Sequence, residues 1–144
     1  MDKKTLIARL KDQGYSDRII NAFSLVDRAK FVPKEYRKFA YTDQPLPIGY
    51  NQTISQPSTI AFMLDLLQIK DGQKILEIGS GSGYVLALLS KASKNSKIYG
   101  VERIQELVND SKKSLSNYEN IKVYPTSDSL GLQELAPFDW ILVS

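Results

Sequence analysis

Neither cysteine nor histidine occurs anywhere in the 144 residues. Without cysteine there is no disulfide framework and no thiolate nucleophile, and without either residue there is no Cys/His zinc site. A Ser-His-Asp triad is excluded as well, because its base is an imidazole. No metal site is expected. No stretch holds the about eighteen consecutive apolar residues of a membrane span. The opening "MDKKTLIARL" lacks the apolar centre of a secretory signal, so the cytoplasm is the expected location. No large excess of charge of one sign is present either. The net charge is only +3, and the lysines are scattered rather than gathered on a basic helix. That pattern fits a solvated surface better than a nucleic-acid interface. Neither nucleic acid nor a membrane is an expected partner, and a monomer is expected.

What is present supports one domain of ordinary size, with a hydrophobic content of 42% to build its core. Leu6, Ile7 and Leu10 recur at helical spacing until Gly14. Asp17 is placed to cap a second helix, with Ile19, Ile20, Phe23 and Val26 on one face and Pro33 at its end. In "KEYRKFAYTDQPLPIGYNQ" no period holds, and Pro45, Pro47 and Gly49 mark an ordered loop. Ser55 or Ser58 can then cap a third helix, with Pro57 in its first turn and Ile60, Met63, Leu64 and Leu67 as its apolar face. Residues 1–70 therefore read as one unit of helices and loop.

Residues 71–144 read differently. "QKILEIGSGSGY" is a short apolar strand closed by glycines, and "VLALLSKAS" is a helix. "SKIYGVE", "NIKVYPT" and "FDWILVS" are further strands, with the helix "IQELVNDSKKSLSNY" between the first two. This alternation indicates an α/β fold with a parallel sheet. The chain stops on an apolar strand at Ser144, so the sheet is expected to have an exposed edge and to be incomplete at the C-terminus.

The chemical centre is "LEIGSGSGY". Gly79, Ser80, Gly81 and Gly83 follow a strand and open a helix, where a glycine loop lets the backbone approach a ligand closely. A dinucleotide fingerprint would need glycine at 84, where Tyr84 stands, and the G-K-[ST] of a phosphate loop is missing. Instead Glu77 precedes Gly79 by two, giving E-x-G-x-G-x-G. This resembles the first motif of class I methyltransferases, a Rossmann-like fold that binds S-adenosylmethionine. That cofactor has no phosphate but carries an ammonium, a sulfonium and ribose hydroxyls, so it calls for carboxylates. In those enzymes an acid at the place of Glu77 serves the methionine end. Glu102 ends the next strand about twenty residues after the loop, the place of a ribose-binding carboxylate. Taken alone, Glu102 could equally be a solvated loop charge.

"RAKFVP", "AYTDQPLPIGYNQTISQP", "ILEIGSGSGY" and "PFDWILVS" occur in this order and at close spacing. Together they resemble the protein-L-isoaspartate O-methyltransferase family over nearly the whole chain. The resemblance implies that the segment before the third helix covers the active site. It implies an active-site role for Ser55, whose alternative reading is a helix N-cap. Ile48, Gly49, Gln52 and Thr53 would lie over cofactor and substrate. The implied reaction transfers a methyl group from S-adenosyl-L-methionine to the α-carboxylate of an L-isoaspartyl residue in a damaged protein or peptide. The ester then closes to a succinimide, which reopens partly to normal aspartate. A carboxylate with a pKa of about 4 is already ionised at neutral pH, so a chain without histidine suffices. One departure concerns adenine. Where the family carries G-D-G, this chain has "TSDSLG", leaving Ser127 and Asp128 as alternative adenine contacts. Two other readings stay open: a cofactor-binding remnant without catalysis, and a class I methyltransferase for another acceptor.

Overall fold

Asp2 accepts from the Thr5 amide at 2.8 Å and starts helix α1 (Lys3–Asp12). Leu6 and Leu10 are its buried positions. Helix α2 (Asp17–Leu25) buries Ile19, Ala22 and Phe23. Asp17 is not its cap, as the sequence suggested, but its first residue, where a negative charge still suits the helix dipole. Nor does Pro33 end the helix. Val26 is already extended, and Asp27 turns its carboxylate onto the Ala29 amide at 3.0 Å, opening a 3₁₀ turn over Arg28–Phe31. Such a local side-chain bond competes with helix continuation. A second 3₁₀ segment, Lys34–Phe39, follows. The computed structural model describes residues 1–126 and 131–144.

The segment expected to be a loop contains a hairpin. Strands β1 (Leu46–Gly49) and β2 (Gln52–Ile54) pair antiparallel, Leu46 opposite Ile54 and Gly49 opposite Gln52. Tyr50 and Asn51 make the turn, each with φ of 56°, the left-handed geometry a two-residue hairpin requires. Such short strands leave too few positions for alternation to be legible, and Tyr-Asn is not the usual turn pair. Leu46, Ile48 and Ile54 face inward. Helix α3 (Pro57–Leu66) has Pro57 in its first turn, but neither Ser55 nor Ser58 is its cap. Gln56 holds that position, but its side chain donates to Ser58 Oγ at 2.8 Å rather than capping the helix, and the Ser58 amide donates to Asp43 at 2.9 Å. The cap comes from fifteen residues upstream, beyond the reach of a local pattern.

The rest is a four-stranded parallel sheet in the order β5-β4-β3-β6. Its strands are β3 (Lys74–Ile78), β4 (Lys97–Glu102), β5 (Ile121–Pro125) and β6 (Trp140–Val143). Helices α4 (Tyr84–Ala92) and α5 (Gln105–Ser114) link the first three. Helix α4 is buried along most of its length and lies against α2, the Phe23 and Tyr84 rings meeting edge-on at 6.2 Å. On the other sheet face Leu76, Val101 and Leu132 form a smaller apolar cluster with Tyr99, Tyr124 and Phe138. β6 is an edge strand on which Trp140, Ile141 and Val143 are exposed. Because chain order reverses beside β3, the loop after β3 opens at the switch point, where α/β sheets bind ligands. Among the described residues no helix is long and apolar enough to cross a membrane.

Candidate active site

The loop from Gly79 to Gly83 is shaped by its glycines. Gly79, Gly81 and Gly83 have φ of 81°, 53° and 88°, a region L side chains rarely adopt. The loop is tied to the next strand, since the Gly79 and Ser80 amides both donate to the Val101 carbonyl, at 2.9 and 3.1 Å. Gly100 allows this nesting. A Cβ there would stand 2.9 Å from the Ser80 Cβ and 2.6 Å from Leu86 Cδ1.

Glu102 ends β4 beneath the loop and is only 7% exposed. One oxygen accepts from the Gly81 amide at 2.9 Å and the other from the Ile104 amide at 3.1 Å. A carboxylate has about four acceptor positions, so acceptor capacity remains toward the cavity that Glu102 lines. Glu77, 1% exposed, reaches the same cavity from β3. Its Oε2 lies 2.8 Å from Ser144 Oγ, and its Oε1 has no partner among the described residues. Burial, with a smaller push from Glu102 and a counter-effect from Ser144, raises its pKa to about 8. The Ser144 hydroxyl donates to Glu77 Oε2 and also lies 3.0 Å from the Gly79 carbonyl, its second acceptor.

From the opposite side the hairpin and its exit bring Ile48, Gln52, Thr53 and Ser55 to this cavity of about 270 Å³. Gly79, Ser80 and Gly81 complete the sequence-derived residues that line it. Gly49 and Gly83 do not line it. Gly49 leads into the hairpin turn with φ of 90°. Gly83 heads α4, where a Cβ would press to 2.8 Å from Leu115 Cδ1. Ser127 and Asp128 lie outside the described residues. The buried Ser80 Oγ has no partner among the described residues. Tyr84, Arg103, Thr126 and Ser144 also line the cavity and were not singled out from sequence. Tyr84 and Arg103 adjoin motif residues, a signal adjacency could have provided. Ser144 had none, since it arrives only because β6 pairs with β3, its amide donating to the Ile78 carbonyl at 3.0 Å.

The cavity thus offers two carboxyl groups, several hydroxyls and backbone groups, and no imidazole. Among the described residues no cluster of His, Cys, Asp or Glu is arranged to hold a metal. Such a lining suits a ligand with a positive charge and vicinal hydroxyls.

The profile of the family described as protein-L-isoaspartate(D-aspartate) O-methyltransferase matches residues 1–144. A protein-L-isoaspartate O-methyltransferase of Methanococcoides burtonii is 48% identical over 142 residues, covering 96% of this chain and 70% of that protein. A solved structure described as protein-L-isoaspartate O-methyltransferase superposes with a TM-score of 0.92 at 29% identity, over 99% of this chain and 47% of its own. A Plasmodium falciparum structure described as belonging to the same enzyme class, in complex with S-adenosyl-L-homocysteine, gives a TM-score of 0.84 at 29% identity over 99% of this chain and 73% of its own. The chain spans between 60% and 71% of the length of such curated relatives.

Proposed function

Because this chain belongs to the protein-L-isoaspartate(D-aspartate) O-methyltransferase family, we propose that it methylates the α-carboxylate of L-isoaspartyl residues in damaged proteins and peptides, using S-adenosyl-L-methionine. The observation that carries this reading is convergence. The "IGYNQTIS" segment and the glycine loop, far apart in sequence, line one cavity. The proposal divides the labour at residue 70: residues 1–70 supply helices and cover, and 71–144 the cofactor core. It extends to a cytoplasmic monomer that binds neither nucleic acid nor membrane.

The lining fits the cofactor. The unpartnered Oε1 of Glu77 suits an ammonium, and the spare acceptor capacity of Glu102 suits a ribose diol. Ser80 and the left-handed Gly79 and Gly81 allow close approach of the backbone. Ser127 or Asp128 is left for the adenine. When bound, the cofactor supplies a methyl group activated by its sulfonium. The chain's own residues orient and exclude. The Ser55 hydroxyl donates to the incoming carboxylate and aims it, while Ile48, Gln52 and Thr53 close the cavity to water. The carboxylate arrives ionised, so no base is needed.

The test offers the chain an isoaspartyl peptide and its aspartyl isomer with labelled S-adenosyl-L-methionine. Label should enter only the isoaspartyl peptide, as a base-labile ester. Ser55→Ala should lower kcat by about tenfold or more while leaving affinity for S-adenosylhomocysteine within about threefold. Saturable cofactor binding without transfer to either peptide would refute the assignment, and unchanged kcat in Ser55→Ala would refute the role of Ser55.

A further inference from the structure

"RAKFVP" is part of what identifies the family, yet nothing in the transfer reaction uses it. Its arginine is unusual. Arg28 is 0% exposed, and no carboxylate forms an ion pair with it among the described residues. A buried guanidinium without a counter-ion is costly, and here burial lowers its pKa. What offsets that cost is a set of backbone carbonyls. Nη1 donates to Ala40 at 2.8 Å and more weakly to Thr42 at 3.4 Å. Nη2 donates to Gln44 at 3.1 Å and to Ser55 at 3.0 Å. Every one of these acceptors belongs to the segment that covers the cavity, and one is the carbonyl of Ser55. The guanidinium carbon also stands 5.9 Å from the ring centroid of Tyr84, which opens α4 directly after the glycine loop and lines the cavity. Next to it Asp27 accepts from the Tyr41 hydroxyl, adding a second tie to the same segment.

We propose that Arg28 is a positioning residue. Its planar fork gathers both ends of the covering segment, Ala40 to Gln44 on one side and Ser55 on the other, and so fixes Ser55 at the cavity against the glycine-loop helix. The inference rests on the function proposed above for Ser55. Lysine cannot substitute. It keeps the charge but lacks the planar fork that spans carbonyls from two stretches of chain at once.

The experiment compares Arg28→Lys and Arg28→Met with the wild-type chain, with exposed Arg37→Lys as control. Amide hydrogen exchange is followed over residues 40–56 and over β3 and β4. Affinity for S-adenosylhomocysteine is measured by calorimetry, and kcat and KM with an isoaspartyl peptide. In Arg28→Lys, exchange across 40–56 should quicken by about tenfold or more, with β3, β4 and ligand affinity within about twofold. The kcat should fall by about tenfold in the wild-type background and by less than about twofold when Ser55 is already alanine, because both changes remove the same orientation. Unchanged exchange over 40–56, a uniform rise over the whole chain, or a full multiplicative loss in the double variant would overturn the proposal. Loss of the folded state in both variants would overturn it too, since Arg28 would then hold up the fold at large. The exchange result is independent of methyl transfer, so an inactive wild-type chain would count against the proposed activity and not against the tie.

Discussion

Glu77 is a carboxyl held almost wholly out of water. Buried at the cavity with a pKa raised to about 8, it holds a proton that the unfolded chain has already released above its ordinary value of 4.5. Folded protein therefore binds more protons than unfolded protein between those limits, and stability must fall as pH rises through that window. Below the ordinary value both states are protonated, and above about 8 both are ionised, so the dependence flattens at each end. The loss across the window is of the order of a few kcal/mol. Thermal melts at about pH 5 and about pH 8 should show it, and Glu77→Gln should remove most of the difference by raising the melting temperature at the higher pH. If the cofactor binds as proposed, a ligand ammonium beside this carboxyl would favour the ionised form. Affinity for S-adenosylhomocysteine should then rise as pH approaches 8 in the wild-type chain and lose that slope in Glu77→Gln.

At the scale of elements, the glycine loop is held as much by what lies under it as by its own glycines. Gly100 in β4 is the clearest case, because a methyl group there would meet Leu86 Cδ1 at 2.6 Å and Ser80 Cβ at 2.9 Å. Gly100→Ala should destabilise the chain by about 1–3 kcal/mol in urea titrations. It should also weaken S-adenosylhomocysteine binding, because the loop is pushed off the sheet. No sequence pattern singled out Gly100, which is an ordinary strand position until the loop folds back on it. The elements legible beforehand were those with a long enough period. Helix α4 and strands β3, β4, β5 and β6 are rich in apolar residues and stand where the sequence places them. The β1–β2 hairpin was not legible, because its strands are short and its turn is Tyr50–Asn51. The start of α3 was misread for another reason. Two serines stood ready to cap it, but the carboxylate of Asp43 reached the Ser58 amide first.

At the scale of the whole molecule, the site joins two stretches of chain that share no local structure, so occupancy should stabilise both together. A ligand that binds only the folded form adds RT ln(1 + [L]/Kd), about 2.7 kcal/mol at a hundredfold excess over Kd. S-adenosylhomocysteine should therefore raise the melting temperature in a concentration-dependent way and slow amide exchange in both the hairpin and the glycine loop. Stabilisation confined to the loop would show that the covering segment does not close on the ligand. The sequence by itself determined the class of chemistry. The absence of histidine and cysteine removed imidazole and thiolate chemistry and Cys/His zinc sites, E-x-G-x-G-x-G set out a glycine loop with a carboxylate ahead of it, and periodicity set out the strands and helices. These are short-range signals, carried by residues a few positions apart. Only the tertiary structure decided the partners. It set β6 beside β3, so that Ser144 reaches Glu77, and it turned the carbonyls of Ala40, Thr42, Gln44 and Ser55 onto Arg28. Such pairings follow from which surfaces must be buried together and which buried polar groups must be satisfied, and no local pattern encodes either.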